Sequence, residues 1–304
     1  MQFLLNELVD KNRAWTNYGK VAGYIPELSK KDPNKLGIVV VDVKGKIYRA
    51  GDYETKFTVQ SMSKPIVLLL ALLDNGEEVF KKVGKEPTGD AFNSIIKLET
   101  LNPSKPLNPM INAGAIAVTS LVKGKTKEEK FKRIINLFRK VSKNPKLDIN
   151  MDVYLSEKKT GDRNRSIAYF LRDIGILEGD VEDILDLYFR QCSIEVTCED
   201  VANMGMVLAN QGIDNESKKR LVPKYLTQIV KTFMVTCGMY DASGEFAINV
   251  GVPSKSGVSG GIMSSVPNKM GIGVIGPALD YKGNSIAGVK LLEDLSKELK
   301  LSIF

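Results

Sequence analysis

The 304-residue chain predicts an α/β fold of the α+β kind, a sheet assembled from both ends of the sequence with helices between. Three observations carry that expectation. A β-branched run followed by a turn lies near residue 40. Further strand-like runs, rich in glycine, lie beyond residue 245. Between about 80 and 235, apolar residues recur at helical spacing. The economical arrangement is a sheet domain built from residues 1–79 and 236–304, a helical domain of residues 80–235 inserted between them, and an active site between the two.

The elements follow in order. Residues 2–17 read as an amphipathic helix. Leu36-Gly-Ile-Val-Val-Val-Asp-Val43 is a strand, Lys44-Gly45 a turn, and Ile47-Tyr48-Arg49 begins the returning strand of a hairpin. A short linker leads through Phe57-Thr-Val-Gln-Ser-Met-Ser-Lys-Pro65 into a strongly apolar helix, which Asp74-Asn-Gly76 stops. Helices are expected over 110–122, 127–142, 164–175, 180–191, 198–210 and 223–235. Residues 245–251, 259–266 and 270–276 read as strands, and the stretch from Gly283 to Leu301 ends in a helix.

The composition bounds the function. With 43% hydrophobic and 26% charged residues the chain builds an ordinary globular core, not a disordered or fibrous one. The net charge of +7 is spread among acids, as in Lys125-Thr-Lys-Glu-Glu-Lys-Phe-Lys-Arg133, which reads as a lysine-rich solvated exterior and not a nucleic-acid patch. The densest apolar run, Ile66 to Leu73, is too short for a membrane span, and the N-terminus lacks the pattern of a signal peptide, so a cytoplasmic location is expected. Cys192, Cys198 and Cys237 form no paired metal-ligand spacing and read as reduced, buried thiols. There is no histidine. Ser-His-Asp and Cys-His catalysis are therefore excluded, and acid–base chemistry falls to carboxylates, Lys, Tyr or Cys.

A nucleophilic serine needs a base within reach, and Ser-x-x-Lys on a helix places both on one face. The pattern occurs four times, at Ser61/Lys64, Ser94/Lys97, Ser120/Lys123 and Ser156/Lys159. Only Ser61 stands where an extended segment meets a long apolar helix. Pro65 is tolerated in a first helical turn, so the helix should begin close to Ser61, with the positive end of its dipole beside the hydroxyl. Burial and that dipole would both lower the Lys64 amine from its usual pKa. The plainer alternative, Ser61 as a helix cap beside a solvated Lys64, stays open at this point.

Longer segments add specificity. Leu107-Asn-Pro-Met-Ile-Asn-Ala-Gly-Ala-Ile116, Tyr154-Leu-Ser-Glu-Lys-Lys-Thr-Gly-Asp-Arg-Asn-Arg-Ser166 and Ser254-Lys-Ser-Gly-Val-Ser-Gly-Gly-Ile262 cluster polar residues and glycine. With Gly19-Lys-Val-Ala-Gly-Tyr-Ile-Pro26 and Met270-Gly-Ile-Gly-Val-Ile-Gly-Pro-Ala-Leu279, they resemble the serine-dependent glutaminases, relatives of the penicillin-recognising enzymes, over nearly the whole chain. The resemblance implies a β-lactamase/transpeptidase-like fold, with a mainly antiparallel sheet flanked by helices. It implies hydrolysis of L-glutamine to L-glutamate and ammonia, no metal or organic cofactor, and a homo-oligomer, a dimer or tetramer.

Position by position, Ser61 matches the nucleophile and Lys64 its partner, and Lys255-Ser256-Gly257 looks like the Lys-Thr/Ser-Gly element of the superfamily. Tyr24, Tyr188 and Tyr240 match tyrosines that assist proton transfer and hold substrate. Asn112, Glu157 and Asn164 match substrate-binding residues. Val258 matches the residue whose backbone N–H, with that of Ser61, forms an oxyanion hole. A zwitterionic substrate needs a carboxylate for its ammonium, a task for Glu157, and donors for its carboxylate, tasks for Asn112, Asn164 and a tyrosine hydroxyl. Tyr240 is the first choice as the relay to Ser61 and Lys64, and Tyr188 the second. A hydrolase or transpeptidase acting on β-lactams or cell-wall peptides, and a non-catalytic amino-acid-binding module, are the alternatives.

Overall fold

The computed structural model describes residues 1–88, 93–94 and 104–304. Its strands are β1 (Gly37–Asp42), β2 (Ile47–Gly51), β3 (Phe57–Thr58), β4 (Glu195–Val196), β5 (Ser254–Ser256), β6 (Gly261–Val266) and β7 (Met270–Ile275). Five of them form one sheet in the order β2-β1-β7-β6-β5, antiparallel throughout, and β3 pairs with β4 apart from it. The two ends of the chain therefore meet at the β1–β7 seam, where Val39 lies opposite Gly273.

Alternation along the strands gives the sheet two different faces. Ile38, Val40, Ile262, Ile272 and Val274 face a core completed by Leu5 and Leu8 of the Gln2–Asn12 helix and by Leu291 and Leu295 of the Ile286–Leu299 helix. Val39, Val41 and Met263 face the opposite core, which includes the Ser63–Asn75 and Cys198–Ala209 helices. The Cys198–Ala209 helix sits directly on β7. A Cβ on Gly271 would lie 2.1 Å from the Ala202 carbonyl oxygen, and one on Gly273 2.1 Å from that of Cys198. Only glycine allows that approach. Thr197 and Asp200 close a capping box that fixes where this helix starts.

A third apolar cluster joins the Asn112–Ser120, Met151–Thr160, Asp162–Asp173 and Val181–Cys192 helices through Ile116, Tyr154, Ile167, Leu185 and Tyr188. Among the described residues no helix is long and apolar enough to cross a membrane.

Most expected elements lie where the periodicity put them; the helix expected over 127–142 runs Lys127–Ser142. Two readings need correction. Residues 245–251 are not a strand but lie largely in the Ser243–Asn249 helix. The alternating Phe246, Ile248 and Val250 suggested a two-residue period, but Phe246 and Val250 are buried four apart while Ile248 is 86% exposed, which is a helical repeat. The Met151–Thr160 helix was missed, because its sequence is too polar to show a stripe; Asn150 caps it by accepting from the Val153 N–H.

Candidate active site

Ser61 lies in the 3-10 turn Gln60–Met62 that leads directly into the Ser63–Asn75 helix. The turn is held from both sides. The Val59 N–H donates to the Ile194 carbonyl at 2.9 Å, and Gly257 packs against the turn so closely that a Cβ there would lie 2.7 Å from the Val59 carbonyl oxygen. Gln60 adopts φ 47°, a left-handed conformation that costs a non-glycine residue about 1–3 kcal/mol. Tyr240 does the same at φ 55°. Strain at these two positions is the backbone signature of the site, and sequence periodicity carries no trace of it.

Lys64 is 2% exposed, although it is a lysine in the first turn of a helix. Its Nζ donates to the Met110 carbonyl at 3.0 Å and to Asn112 Oδ1 at 2.7 Å. Burial lowers it to about 8, with Cys192 and Glu157 pulling the other way. The other Ser-x-x-Lys matches differ: Lys123 and Lys159 are exposed, and Lys97 lies outside the described residues. Burial therefore separates Lys64 from the other two described matches, and the solvated-lysine reading of Lys64 is overturned.

Asn112 opens the Asn112–Ser120 helix, and its Nδ2 donates to Asn164 Oδ1 at 2.9 Å. Lys64, Asn112 and Asn164 thus form one hydrogen-bonded row. Glu157 is buried, and its Oε2 accepts from Gln60 Nε2 at 3.4 Å. Burial pushes its carboxyl up to about 8, against the Gln60 hydrogen bond and the charge of Lys64. Asp186 ties the helix that carries Glu157 to the one that carries Tyr188: it accepts from the Tyr154 hydroxyl and from Lys158 Nζ, the latter at 2.8 Å.

Tyr240 Oη donates to the Ser256 carbonyl at 3.3 Å, and the phenol also hydrogen-bonds Ser61. Burial pushes this phenol up to about 12 despite those bonds. Tyr240 therefore holds its proton at neutral pH. Tyr188 is enclosed near Cys192 and Glu157, and burial raises it well above its ordinary value. Tyr24 stands at the rim. The residue is 56% exposed, yet desolvation of its phenol, with Tyr240 and Glu157 nearby, raises it too. Val258, buried, follows Gly257, and its N–H has no hydrogen-bond partner among the described residues.

All nine residues singled out in the sequence converge. Two more emerge from the structure. Gln60 links the turn of Ser61 to Glu157. Lys255, fully buried, lies 4.3 Å from the centre of the Tyr240 ring and donates to the Gly238 and Ser256 carbonyls at 3.0 and 2.9 Å. The Lys255-Ser256-Gly257 triplet was the signal for the second. Nothing in composition or spacing pointed to the first. Among the described residues no group of three or more Cys, Asp or Glu side chains is placed to hold a metal ion.

An antiparallel sheet flanked by helices, with a Ser-x-x-Lys pair at a helix start, defines an enzyme of the β-lactamase-like class. Within that class, the glutaminase family profile matches residues 19–304, and the chain belongs to the glutaminase family. It is 59% identical over 305 residues to a glutaminase of Clostridium botulinum (strain Loch Maree / Type A3), covering 100% of both chains. It is 60% identical over 302 residues to a glutaminase of Clostridioides difficile (strain 630), covering 99% of this chain and 98% of that one. A solved structure of a probable glutaminase from Bacillus subtilis complexed with 6-diazo-5-oxo-L-norleucine superposes with a TM-score of 0.92 at 38% identity, over 100% of this chain and 97% of that one.

Proposed function

We propose that this glutaminase hydrolyses the side-chain amide of L-glutamine through a γ-glutamyl ester on Ser61. The observation that carries this reading is the Ser61–Tyr240 hydrogen bond beside a Lys64 that burial lowers to about 8. At pH 7 about a tenth of such an amine is neutral, against roughly 0.04% for an ordinary lysine. Neutral Lys64 takes the Ser61 proton as Oγ attacks the amide carbon. The N–H groups of Val258 and Ser61 receive the oxyanion. Tyr240, which keeps its proton, donates it to the leaving nitrogen and is reprotonated from Lys64, so ammonia departs and both groups return to their starting states. Water then attacks the ester by the same relay in reverse and releases glutamate.

Glu157 meets the substrate ammonium, and Asn112, Asn164, Tyr24 and Tyr188 bind the rest of the amino acid. A zwitterion bound there supplies the positive charge that an ionised, buried Glu157 lacks in the empty pocket. The two-lobed division, residues 1–79 and 236–304 against 80–235 with the site between, belongs to the same proposal, as do a cytoplasmic location and a dimeric or tetrameric assembly.

The deciding experiment measures ammonia release and glutamate binding by Ser61→Ala, with a chromogenic cephalosporin run in parallel on the parent protein. The expected result is lost turnover, retained glutamate binding and an inert cephalosporin. Full turnover by Ser61→Ala would remove the acyl-enzyme, and efficient cephalosporin hydrolysis would favour the β-lactam reading instead.

A further inference from the structure

A second cavity, of about 670 Å³, opens where the β1–β2 hairpin meets the start of the Cys198–Ala209 helix and the end of the Lys127–Ser142 helix. It shares no lining residue with the Ser61 site, and its volume falls within the range of small-molecule sites.

Lys143 and Asp200 on its wall are each hydrogen-bonded within the protein. Lys143 Nζ is held by Asn215 Oδ1 at 2.8 Å, Asp214 Oδ1 at 2.9 Å and Glu216 Oε2 at 3.1 Å, which uses all three of its donors. Asp200 Oδ2 accepts from the Thr197 N–H and hydroxyl, each at 2.8 Å, and Oδ1 accepts from Asn144 Nδ2 at 2.9 Å.

Asn203 is the exception. It lines the cavity, is 7% exposed, and its carboxamide has no hydrogen-bond partner among the described residues. Its carboxamide atoms are not sealed from solvent, so its donors and acceptor are open to whatever fills the cavity. Asp200, three residues earlier on the same helix face, keeps a spare lone pair on Oδ1.

We propose that this cavity binds a neutral, polyhydroxylated molecule of monosaccharide size, with adjacent hydroxyls bridging Asn203 and Asp200. Hydroxyls both donate and accept. They satisfy a carboxylate that only accepts and a carboxamide that does both. An anionic ligand would face Asp200 at close range. A cationic one would find Glu199 and Glu216 already paired with Arg49 and Lys143, and Lys44 exposed among the lining residues.

The test is saturation-transfer NMR and calorimetry on the intact protein with D-glucose, D-ribose and myo-inositol as probes, and glucose 6-phosphate and 1,4-diaminobutane as charged comparisons. Saturable binding of at least one neutral polyol is expected, weakened about tenfold by Asn203→Leu. Ammonia release from glutamine should be unchanged in that variant, which shows that it is folded. If Asn203→Leu proves unstable, the smaller Asn203→Ser should show the same loss. Absence of saturable binding by all three polyols, binding that either folded variant leaves intact, or a preference for either charged probe overturns the assignment.

Discussion

Lys64 and Glu157 bring two titrations close to neutral pH, one drawn down to about 8 and the other pushed up to about 8 by the same burial. In the proposed mechanism turnover requires the first neutral and substrate binding requires the second ionised, so both act in one direction. kcat/KM for glutamine should rise as pH increases through about 8, and a profile flat from pH 6 to 9 would contradict both roles. Lys64→Arg keeps the charge but cannot give up its proton, and should lower kcat by about 10²–10⁴-fold. Glu157 also carries a stability signature. Its folded-state pKa lies above the ordinary value of 4.5, so the folded protein binds this proton more tightly than the unfolded chain does. Stability associated with it is complete below the ordinary value and is lost as pH rises through about 8. Glu157→Gln should therefore melt at a higher temperature than the parent at pH 9 and close to it at pH 5, while KM for glutamine rises. A variant no more stable at pH 9 would show that Glu157 is not strained by burial.

The Cys198–Ala209 helix and β7 show how backbone contact, more than side-chain volume, sets one interface. Gly271 and Gly273 point from the strand into the helix backbone, and Gly205 answers from the helix, where a Cβ would lie 2.4 Å from the Ser264 carbonyl oxygen. Gly271→Ala or Gly273→Ala should cost about 3 kcal/mol, the upper part of the range for overpacking, because the first atoms met belong to backbone and cannot rotate away. Urea unfolding checks this: the midpoint should fall with an unchanged slope. At this scale the strong periodicities were readable. The β1–β2 hairpin, the apolar helix after Ser61 and the Lys127–Ser142 helix all announce themselves. The polar Met151–Thr160 helix and the Ser243–Asn249 helix do not, since their character depends on which side chains a neighbour covers.

Across the whole molecule, the site draws on residues from Tyr24 to Val258, so it exists only when both ends of the chain and the helices between them are packed together. The Cys198–Ala209 helix belongs by sequence to the helical stretch but by contact to the sheet, with Val201 and Ala202 in the same core as Val39 and Met263. Residues 80–235 expressed alone should accordingly fail to form a cooperative structure. That fragment should bind the dye ANS and show poorly dispersed NMR amide signals, since it would expose this glycine-and-alanine face. A sharply melting fragment that still bound glutamate would contradict that account.

By itself the sequence determined most of the strand–helix order, the absence of histidine chemistry and, through ordered motifs, the nine residues that the structure brings together. These properties are local or carried by long motifs, and survive reading in one dimension. Only the tertiary structure decided which of the described Ser-x-x-Lys pairs is buried, that Tyr240 keeps its proton, that Gln60 and Lys255 join the site, and that Asn203 faces a separate cavity. Each of these depends on desolvation, and desolvation is set by neighbours distant in the chain.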